Sequence, residues 1–457
     1  MRLRITTLAC LVAALFAAAA DAQFFPYPVE KRTLANGLDV IVIPTPEFRN
    51  VLSFNTLIMA GSGRENEKGR TGLAHLFEHI IFRHDHDTPN AYQTRMDELG
   101  AFNNAFTWYD ITYYYPLTFT SNLDRLVALE ASRFRELRYS ERVFRTEAGA
   151  VYGEYRRSAS DPSLRLEEVL GDLMYGPAHG YGHSTIGYLE DVQDMPNAYK
   201  SALKFYDDYY RPNNALVVVA GDVQPERVFQ LVEQHYGPWK AKKTPEQPDP
   251  KPIAGPKKQH ETWESDIPPR VLVAYMTPPY VPGSKEAGAM DVMAELMGGE
   301  TSPLYRKLRY EEQVASSLGV DNTSTIAVDA RPMGTYVTVA KDKYDAQGRA
   351  LLDRIDRDVA TAFEGLANFS SQPGAAERLA SIKSQLRYDI LSSFNSPANI
   401  AQNFANYYRL NRNPRVLEQV AEGIASLQPA DIDAFAKKYF TPKNRVSITL
   451  AGKGGAQ

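Results

Sequence analysis

The chain has 457 residues, a net charge of −4 and 44% hydrophobic residues, a composition typical of a soluble globular protein. The weak charge argues against nucleic acid as the main partner, and the length exceeds a single hydrophobic core. The one cysteine, Cys10, lies in an amino-terminal apolar segment. The mature chain therefore cannot form disulfides and must hold any metal with His, Asp or Glu.

Residues 1–22 are predicted to be a secretory signal peptide. Two arginines precede an apolar run over residues 5–20, and an A-x-A pattern predicts cleavage before Gln23. The run is short for an uncleaved membrane anchor, and no later stretch is apolar enough to span a membrane. We therefore expect an extracytoplasmic protein, most simply a periplasmic one.

A segment rich in Pro and Lys, residues 238–260, is predicted to be an extended, solvated linker. It divides the mature chain into the halves 24–237 and 261–457. Both halves end with a helix, a turn that contains Pro and Asn, and an apolar strand, and Pro212 and Pro442 lie 230 positions apart (442 − 212). We interpret the halves as divergent copies. The alternative, that any strand after a helix and a turn looks this way, stays open.

Within each half the hydrophobic pattern predicts strands followed by a helix. In the first half the strands are 38–43 and 52–60 and the helix is 72–82. In the second half the strand is 271–276 and the helix is 284–297. This order predicts an α+β fold of two homologous domains, each a mainly antiparallel sheet with helices packed on one face.

The helix predicted over 72–82 carries the sequence H-x-x-E-H. His75 and His79 are four residues apart and share one face of the helix, with Glu78 beside them. Two imidazoles and a carboxylate are what a divalent metal and an activated water need. The alternative is a partly exposed helix with two ordinary histidines. All eight histidines lie at or before His260, so a catalytic metal is expected only in the first half.

A catalytic zinc usually takes three protein ligands, so the helix alone is insufficient. The best further candidates are Glu147 and Glu154, which are seven residues apart on one face of a helix predicted over 142–157. An ordinary charged surface helix is equally compatible with this spacing. The His and Asp residues of 84–87 are interpreted as a solvated loop, and the histidines of the Gly-rich loop 176–187 as structural.

These features together resemble the pitrilysin-type (inverzincin) zinc metallopeptidases, and in particular their bacterial half-size members, which are similar to mitochondrial processing peptidase subunits. The resemblance includes G-S-x-x-E at 61–65, G-x-x-x-N-A-x-T at 100–107 and the endings of both halves. The family's third zinc ligand is a Glu about 75 residues downstream, with a second Glu seven residues earlier. Glu154 lies 75 positions after His79 (154 − 79), and Glu147 occupies the earlier position.

The resemblance implies a zinc-dependent endopeptidase with one Zn²⁺ per chain. His75, His79 and Glu154 would hold the ion, Glu78 would act as general base, and Glu147 would orient a ligand or support the base. Peptides or unfolded polypeptide segments would bind in extended form inside a closed chamber.

The substrate itself is expected to bind by strand addition. Residues 103–115 are rich in aromatic and β-branched residues and are predicted to be an edge strand. A peptide would add to that edge through backbone hydrogen bonds, with Asn104 and Ala105 near the metal.

One departure from the family pattern lies in the second half. Family members carry there an Arg and, seven residues later, a Tyr, which reach the bound peptide. Arg309 matches the Arg, but the later position holds Ser316. Either a side chain such as Tyr310 substitutes, or this chain is the zinc-bearing subunit of a heterodimer whose partner supplies the pair. We expect a dimer and slightly favour the heterodimer; a non-catalytic structural subunit is the remaining alternative.

Overall fold

The computed structural model of the protein describes residues 24–67, 69–83, 91–246, 255–321 and 327–453. The predicted signal peptide and the predicted solvated loop 84–87 lie outside the described residues. Within the described ranges, none of the helices has both the length and the apolar character that a membrane crossing requires.

The first half forms a seven-stranded sheet in the order β1-β2-β7-β3-β5-β4, with β6 paired to β3. Its strands are β1 Glu30–Thr33, β2 Asp39–Pro44, β3 Val51–Ile58, β4 Ala105–Thr107, β5 Thr112–Tyr114, β6 Leu117–Phe119 and β7 Ala215–Gly221. Its helices are α1 Leu73–Ile81, α2 Ala91–Glu98, α3 Leu123–Arg135, α4 Glu141–Ser158, α5 Pro162–Met174, α6 Leu189–Asp194, α7 Tyr199–Tyr209 and α8 Pro225–Tyr236. Strands β2 and β7 pair in parallel and the other neighbours pair antiparallel.

The second half forms a five-stranded sheet in the order β10-β11-β9-β12-β8. Its strands are β8 Lys257–Trp263, β9 Arg270–Met276, β10 Ala315–Asp321, β11 Pro332–Val339 and β12 Arg445–Gly452. Its helices are α9 Lys285–Gly298, α10 Pro303–Tyr305, α11 Lys341–Gln347, α12 Arg349–Gly365, α13 Ala375–Ser392, α14 Pro397–Asn411, α15 Val416–Ser426 and α16 Pro429–Tyr439. A π-helical segment, Arg306–Glu311, continues α10. The predicted α+β class with two mainly antiparallel sheets is confirmed.

The closing turns of the two halves show the same hydrogen bond. Asn214 Nδ2 donates to the carbonyl oxygen of Tyr209 at 2.9 Å, and Asn444 Nδ2 donates to that of Tyr439 at 2.8 Å. Each pair is related to the other by the same offset of 230 positions (439 − 209 and 444 − 214). Because a shared side-chain bond is more specific than a shared helix and strand, it favours duplication.

Each sheet has helices of its own half on one face, as predicted, and a helix of the other half on the opposite face. In the first half the outer face carries side chains such as Ile41 and Val218, which pack against Phe404 and Tyr408 of α14. In the second half the outer face packs in turn against α5 of the first half. The described residues form four hydrophobic clusters, and two of them contain side chains from both halves. Strands β3 and β7 are therefore buried on both faces.

Two predicted segments differ from the structure. Strand β8 begins at Lys257 and pairs in parallel with β12, and Trp239 is buried in the core of the first half, so the prediction of an extended, solvated linker is wrong for 257–260 and for Trp239. Residues 247–254 of that linker lie outside the described residues. The prolines end at Pro256, after which every backbone N–H is available for a strand ladder. The predicted edge strand 103–115 is instead a hairpin, in which β4 is the sheet edge and β5 lies inside it.

Candidate metal centre

Helix α1 begins beside a buried carboxylate. Gly72, which precedes it, has a φ of 87°, a conformation that glycine adopts without strain. The Glu65 carboxylate accepts hydrogen bonds from the backbone N–H groups of Gly72 at 2.7 Å and Ala74 at 2.5 Å, which satisfies two free donors of the helix end. Burial raises the pKa of Glu65 to about 8, although these hydrogen bonds act in the opposite direction. The G-S-x-x-E stretch thus fixes where α1 starts.

The amphipathic pattern of α1 turns its polar side chains toward one cleft. The apolar residues Leu73, Leu76, Phe77, Ile80 and Ile81 are buried. His75, Glu78 and His79 occupy the remaining face and are partly exposed. The imidazole rings of the two histidines lie 5.1 Å apart, nearly perpendicular to each other.

Helix α4 brings the third donor to this face. Ser140 caps the helix by accepting a hydrogen bond from Val143 N–H. Glu154 Oε2 lies 3.5 Å from His75 Nε2 and 3.7 Å from His79 Nε2. The three ligand atoms all lie within 4.8 Å of one another.

The donor set fits a zinc ion. Ligand atoms about 2.1 Å from a tetrahedral zinc are separated by roughly 3.4 Å from each other, close to the two His–Glu distances. Both histidines present Nε2, and the third donor is a carboxylate oxygen, a combination found in catalytic sites that keep a position for water. Among the described residues the set His75, His79 and Glu154 is the one that meets this geometric requirement.

Glu147 lies behind His79 rather than beside the ligand atoms. Its Oε2 is 3.5 Å from His79 Nδ1, and its Oε1 accepts a hydrogen bond of 2.8 Å from Arg83 Nε. Burial acts to raise the pKa of Glu147, but the contacts with His79 and Arg83 outweigh it and lower this pKa overall. The carboxylate is therefore ionised and holds one tautomer of the His79 ring.

The two ligand histidines have different environments. Burial, together with the neighbouring His79, lowers the pKa of His75 to about 4, so its imidazole is neutral at neutral pH. Burial also acts to lower the pKa of His79, but the contact with Glu147 and the charges of Glu154 and Glu78 outweigh it and raise this pKa. His75 Nδ1 is buried without a hydrogen-bond partner in the part of the chain that the structure describes.

Glu78 is held separately from the ligand set. Its Oε2 accepts a hydrogen bond of 2.7 Å from Thr107 Oγ1 of β4. Burial raises the pKa of Glu78, and the hydrogen bond from Thr107 opposes that rise. A partly desolvated carboxylate next to the ligand atoms is suited to accept a proton.

Two open cavities meet at this centre. One, of about 530 Å³, is lined by residues that include Glu78, His79 and Asn104. The other, of about 420 Å³, is lined by His75 and Glu154 together with residues around 158–167 and 184–186. A cleft therefore continues on both sides of the three ligand atoms.

The three residues predicted to bind substrate lie in different surroundings. Ala105 lies in the edge strand β4, and its backbone N–H donates to Asn104 Oδ1 at 2.8 Å. The Asn104 carbonyl accepts from Tyr115 N–H at 3.0 Å, so in this register Ala105 turns its backbone groups away from β5. Arg309 instead donates to the Ala315 carbonyl at 2.7 Å, and its predicted contact with substrate stays a prediction.

Sequence reasoning missed Arg83 and the role of Thr107. Arg83 lies four residues after His79, and residues at this spacing are neighbours on a helix. The sequence therefore already placed Arg83 close to His79, the imidazole that Glu147 contacts. The hydrogen bond from Thr107 depends on the hairpin, which the pattern did not reveal. The loop histidines are structural as expected: His183 lies 2.8 Å from the Ser184 carbonyl, and His179 accepts from Tyr181 N–H at 3.0 Å.

Two family models match the chain. One, described as "Insulinase (Peptidase family M16)", matches residues 44–181, a range that contains the three candidate ligand residues. The other, described as "Peptidase M16 inactive domain", matches residues 198–365. The chain belongs to peptidase family M16. In the helix Lys285–Gly298 of the second half, the buried Asp291 carboxyl accepts a hydrogen bond from the Tyr280 hydroxyl at 2.9 Å.

M16 relatives extend the similarity over the whole chain. The "Zinc protease PqqE" of Helicobacter pylori is 26% identical over 464 residues, which cover 98% of this chain and 98% of that protein. A protease structure from Helicobacter pylori has a TM-score of 0.82 at 25% identity and covers 93% of this chain and 99% of that one. The periplasmic protease PqqL from Escherichia coli shares the fold, with a TM-score of 0.71 at 18% identity over 93% of this chain and 47% of that one.

Proposed function

We propose that the chain is a zinc-dependent endopeptidase. The observation that carries the proposal is the cluster of one ligand atom each from His75, His79 and Glu154, all within 4.8 Å of one another. Glu78 is the residue before His79 on the same helix and is not a member of this cluster. A metal-storage site would need the ligands alone, whereas a hydrolase also needs a base at this place. The M16 relatives named as zinc proteases support the same activity.

His75, His79 and Glu154 would hold the zinc. When bound, the ion supplies Lewis acidity, which lowers the pKa of a water molecule and polarises the scissile carbonyl. Glu78 takes a proton from the attacking water and delivers it to the leaving amine, so the peptide bond is replaced by a carboxyl and an amino group. Thr107 holds the Glu78 carboxylate through its hydroxyl, which keeps one oxygen oriented for this transfer.

Glu147 and Arg83 support the centre from behind. Glu147 fixes the His79 ring through Nδ1, which leaves Nε2 for the metal. Arg83 in turn fixes Glu147, whose own pKa is lowered by these contacts.

The substrate would be an extended peptide or an unfolded segment of polypeptide. Strand β4 is the edge of its sheet, and Ala105 turns its backbone away from β5 toward the free side. A peptide added there would cross the metal centre and continue into the two flanking cavities. Such binding selects an extended backbone more than a particular sequence.

We further propose that the active unit is a dimer enclosing a chamber, with a heterodimer slightly favoured. Ser316 is exposed on β10, at a bulge between Ala315 and Ser317, and its hydroxyl donates to the Thr338 carbonyl at 3.2 Å. Tyr310, the possible substitute for the family tyrosine, has 54% of its surface exposed. If the purified chain alone cleaved peptides at full rate as a homodimer, the heterodimer would be excluded.

We place the mature protein in the periplasm. The proposal is supported by the signal pattern over residues 1–22 and by the description of the related PqqL as periplasmic. Fractionation of cells that express the full chain tests it, and retention in the cytosol at full length would contradict it.

The activity itself is tested by Glu78→Gln, with Glu141→Gln as the matched control. Glu141 is an exposed residue in the first turn of α4 and is paired with Arg145. Glu78→Gln should keep about one zinc per chain and lose cleavage of an unfolded polypeptide by at least about 100-fold, because the base is absent. Glu141→Gln should retain both. Zinc binding without cleavage in the wild-type chain would instead support a non-catalytic subunit.

A further inference from the structure

The turn between β4 and β5 is held from both halves of the chain. On its own side, the backbone N–H groups of Ser62 and Gly63 donate to the carbonyls of Trp108 at 3.2 Å and Tyr109 at 2.7 Å. From the second half, the Arg331 guanidinium lies 4.0 Å from the centre of the Tyr109 ring. The hairpin therefore does not depend on its own sheet alone.

Asp110, at the tip of this turn, is the second point of attachment. Its Oδ1 accepts from Tyr181 hydroxyl at 2.6 Å, and its Oδ2 accepts from Val328 N–H at 3.0 Å. The same Oδ2 lies 3.8 Å from Arg409 Nη1 of α14. Asp110 thus joins the hairpin to two separate segments of the second half.

Arg409 is an unusual residue for a packing helix. It is 7% exposed, and none of its three guanidinium nitrogens has a hydrogen-bond partner among the described residues. A buried cation needs a nearby anion, and Asp110 is the one to which the structure joins it by an ion pair. The strength of this pairing depends directly on where the turn lies.

The same turn determines where Thr107 lies. Thr107 ends β4 three residues before Asp110, and the strand is only three residues long. A shift of the turn is therefore transmitted to the Thr107 hydroxyl, which donates to Glu78 at 2.7 Å. Since such a bond weakens steeply beyond its normal range, a displacement of about 1 Å is enough to lose it.

We propose that Arg409 is a positioning residue for the centre in the other half of the chain: through Asp110 it holds the β4–β5 hairpin where Thr107 reaches Glu78. This gives the second half, which has no matching ligand set among its described residues, a role in the chemistry of the first. The kinetic form of the proposal rests on the peptidase function proposed above.

The test is a double-mutant cycle on the holoenzyme with a peptide substrate. Arg409→Met should lower kcat about tenfold and leave the zinc content unchanged, because the ligands do not contact the hairpin tip. Thr107→Val should lower kcat by a similar factor. In the Thr107→Val background, Arg409→Met should add less than about a twofold loss, since the bond on which it acts is already absent. Equal losses in both backgrounds would overturn the proposal.

Tyr408→Phe provides the matched control. Tyr408 neighbours Arg409 on α14, and its buried hydroxyl donates to Asp39 of β2 at 3.1 Å, so its hydrogen bond joins the halves at β2 and not at the hairpin. This variant should lower the melting temperature and leave kcat unchanged. Arg409→Lys, which keeps the charge, should recover most of the kcat lost in Arg409→Met; if it does not, the ion pair is not the cause.

A readout without catalysis separates this proposal from the proposed function. If the wild-type chain cleaved no peptide, the peptidase assignment would fail, but the hairpin could still be followed by amide hydrogen exchange. Arg409→Met should then speed exchange of the amides of residues 105–107 at least about fivefold, while Tyr408→Phe leaves them unchanged. Unchanged exchange in Arg409→Met would overturn the positioning role by itself.

Discussion

Arg83 donates a hydrogen bond of 2.8 Å to Glu147, whose other carboxylate oxygen lies 3.5 Å from Nδ1 of His79. The three side chains form a chain of contacts from the end of α1 to an imidazole of the candidate metal centre, which we call the relay. Each link restricts the next, because a carboxylate held at one oxygen presents the other in a fixed direction. The imidazole of His79 in the candidate centre is therefore oriented by two residues outside the candidate ligand set.

We expect Glu147→Ala and Arg83→Met to weaken zinc binding by about 10–100-fold, because each frees the His79 ring to rotate. Competition with a chromogenic chelator measures the affinity. Arg145→Met is the control, since Arg145 lies on the same helix as Glu147 but is exposed and paired with Glu141. Unchanged affinity in both test variants would show that the relay does not orient His79.

Removal of the metal should destabilise the protein, since zinc binds the folded ligand set and not the unfolded chain. At zinc concentrations about 100-fold above the dissociation constant, the gain is roughly 2.7 kcal/mol. The melting temperature should fall on dialysis against a chelator and recover on adding zinc. Glu154→Gln should show little response to either treatment, and a full response would remove Glu154 from the ligand set.

Gly61→Ala should displace the β4–β5 hairpin. A Cβ at this position would lie 1.8 Å from the Trp108 carbonyl oxygen, a distance that the backbone cannot accommodate without moving. We expect a loss of several-fold in kcat and about 1–3 kcal/mol in stability. Gly149→Ala, at an open position in α4, should instead stabilise the protein by about 0.5–1 kcal/mol. Equal behaviour of the two variants in urea denaturation would contradict the tight approach at Gly61.

Asp291 should make stability depend on pH. Burial raises its pKa from 3.8 to about 7 in the folded protein, although the Tyr280 hydroxyl opposes the rise. The folded state thus keeps a proton that the unfolded chain releases, so stability is lost as pH rises from about 4 to about 7. Asp291→Asn should increase the free energy of unfolding by roughly 2 kcal/mol near pH 5 and by on the order of 4 kcal/mol near pH 8. Urea denaturation at both pH values measures this difference. If the wild type and the variant differed in free energy of unfolding by the same amount at pH 5 and at pH 8, the raised pKa of Asp291 would be refuted.

Local patterns predicted the elements well where one hydrophobic period continues over the whole element. The helix predicted over 72–82 is α1, Leu73–Ile81, and the strands predicted over 38–43 and 52–60 are β2 and β3 within two residues at each end. The hairpin at 103–115 was missed because its aromatic alternation continues through the turn. The turn itself is fixed by hydrogen bonds from Ser62 and Gly63 and by the partners of Asp110, which are distant in the sequence.

The candidate centre likewise combines positions that the sequence predicted with positions that depend on tertiary packing. Helical spacing placed His75 beside His79, and the family resemblance supplied Glu154, which the structure brings to 3.5 Å from His75. Spacing alone left Glu147 and Glu154 with equivalent positions on one face. Their different positions arise from how α4 packs against α1, because one carboxylate meets Nε2 atoms and the other meets Nδ1 of His79. This packing is tertiary, and no short pattern in the sequence records it.

The exchange of α5 and α14 across the sheets has a consequence for how the chain can be divided. Each sheet would expose an apolar face if its half were produced alone, because the helix that covers it belongs to the other half. The linker thus divides the sequence into two halves, but the two halves fold as one unit. The arrangement is that of a helix-exchanged homodimer joined into one chain, in which each half covers an apolar sheet face of the other.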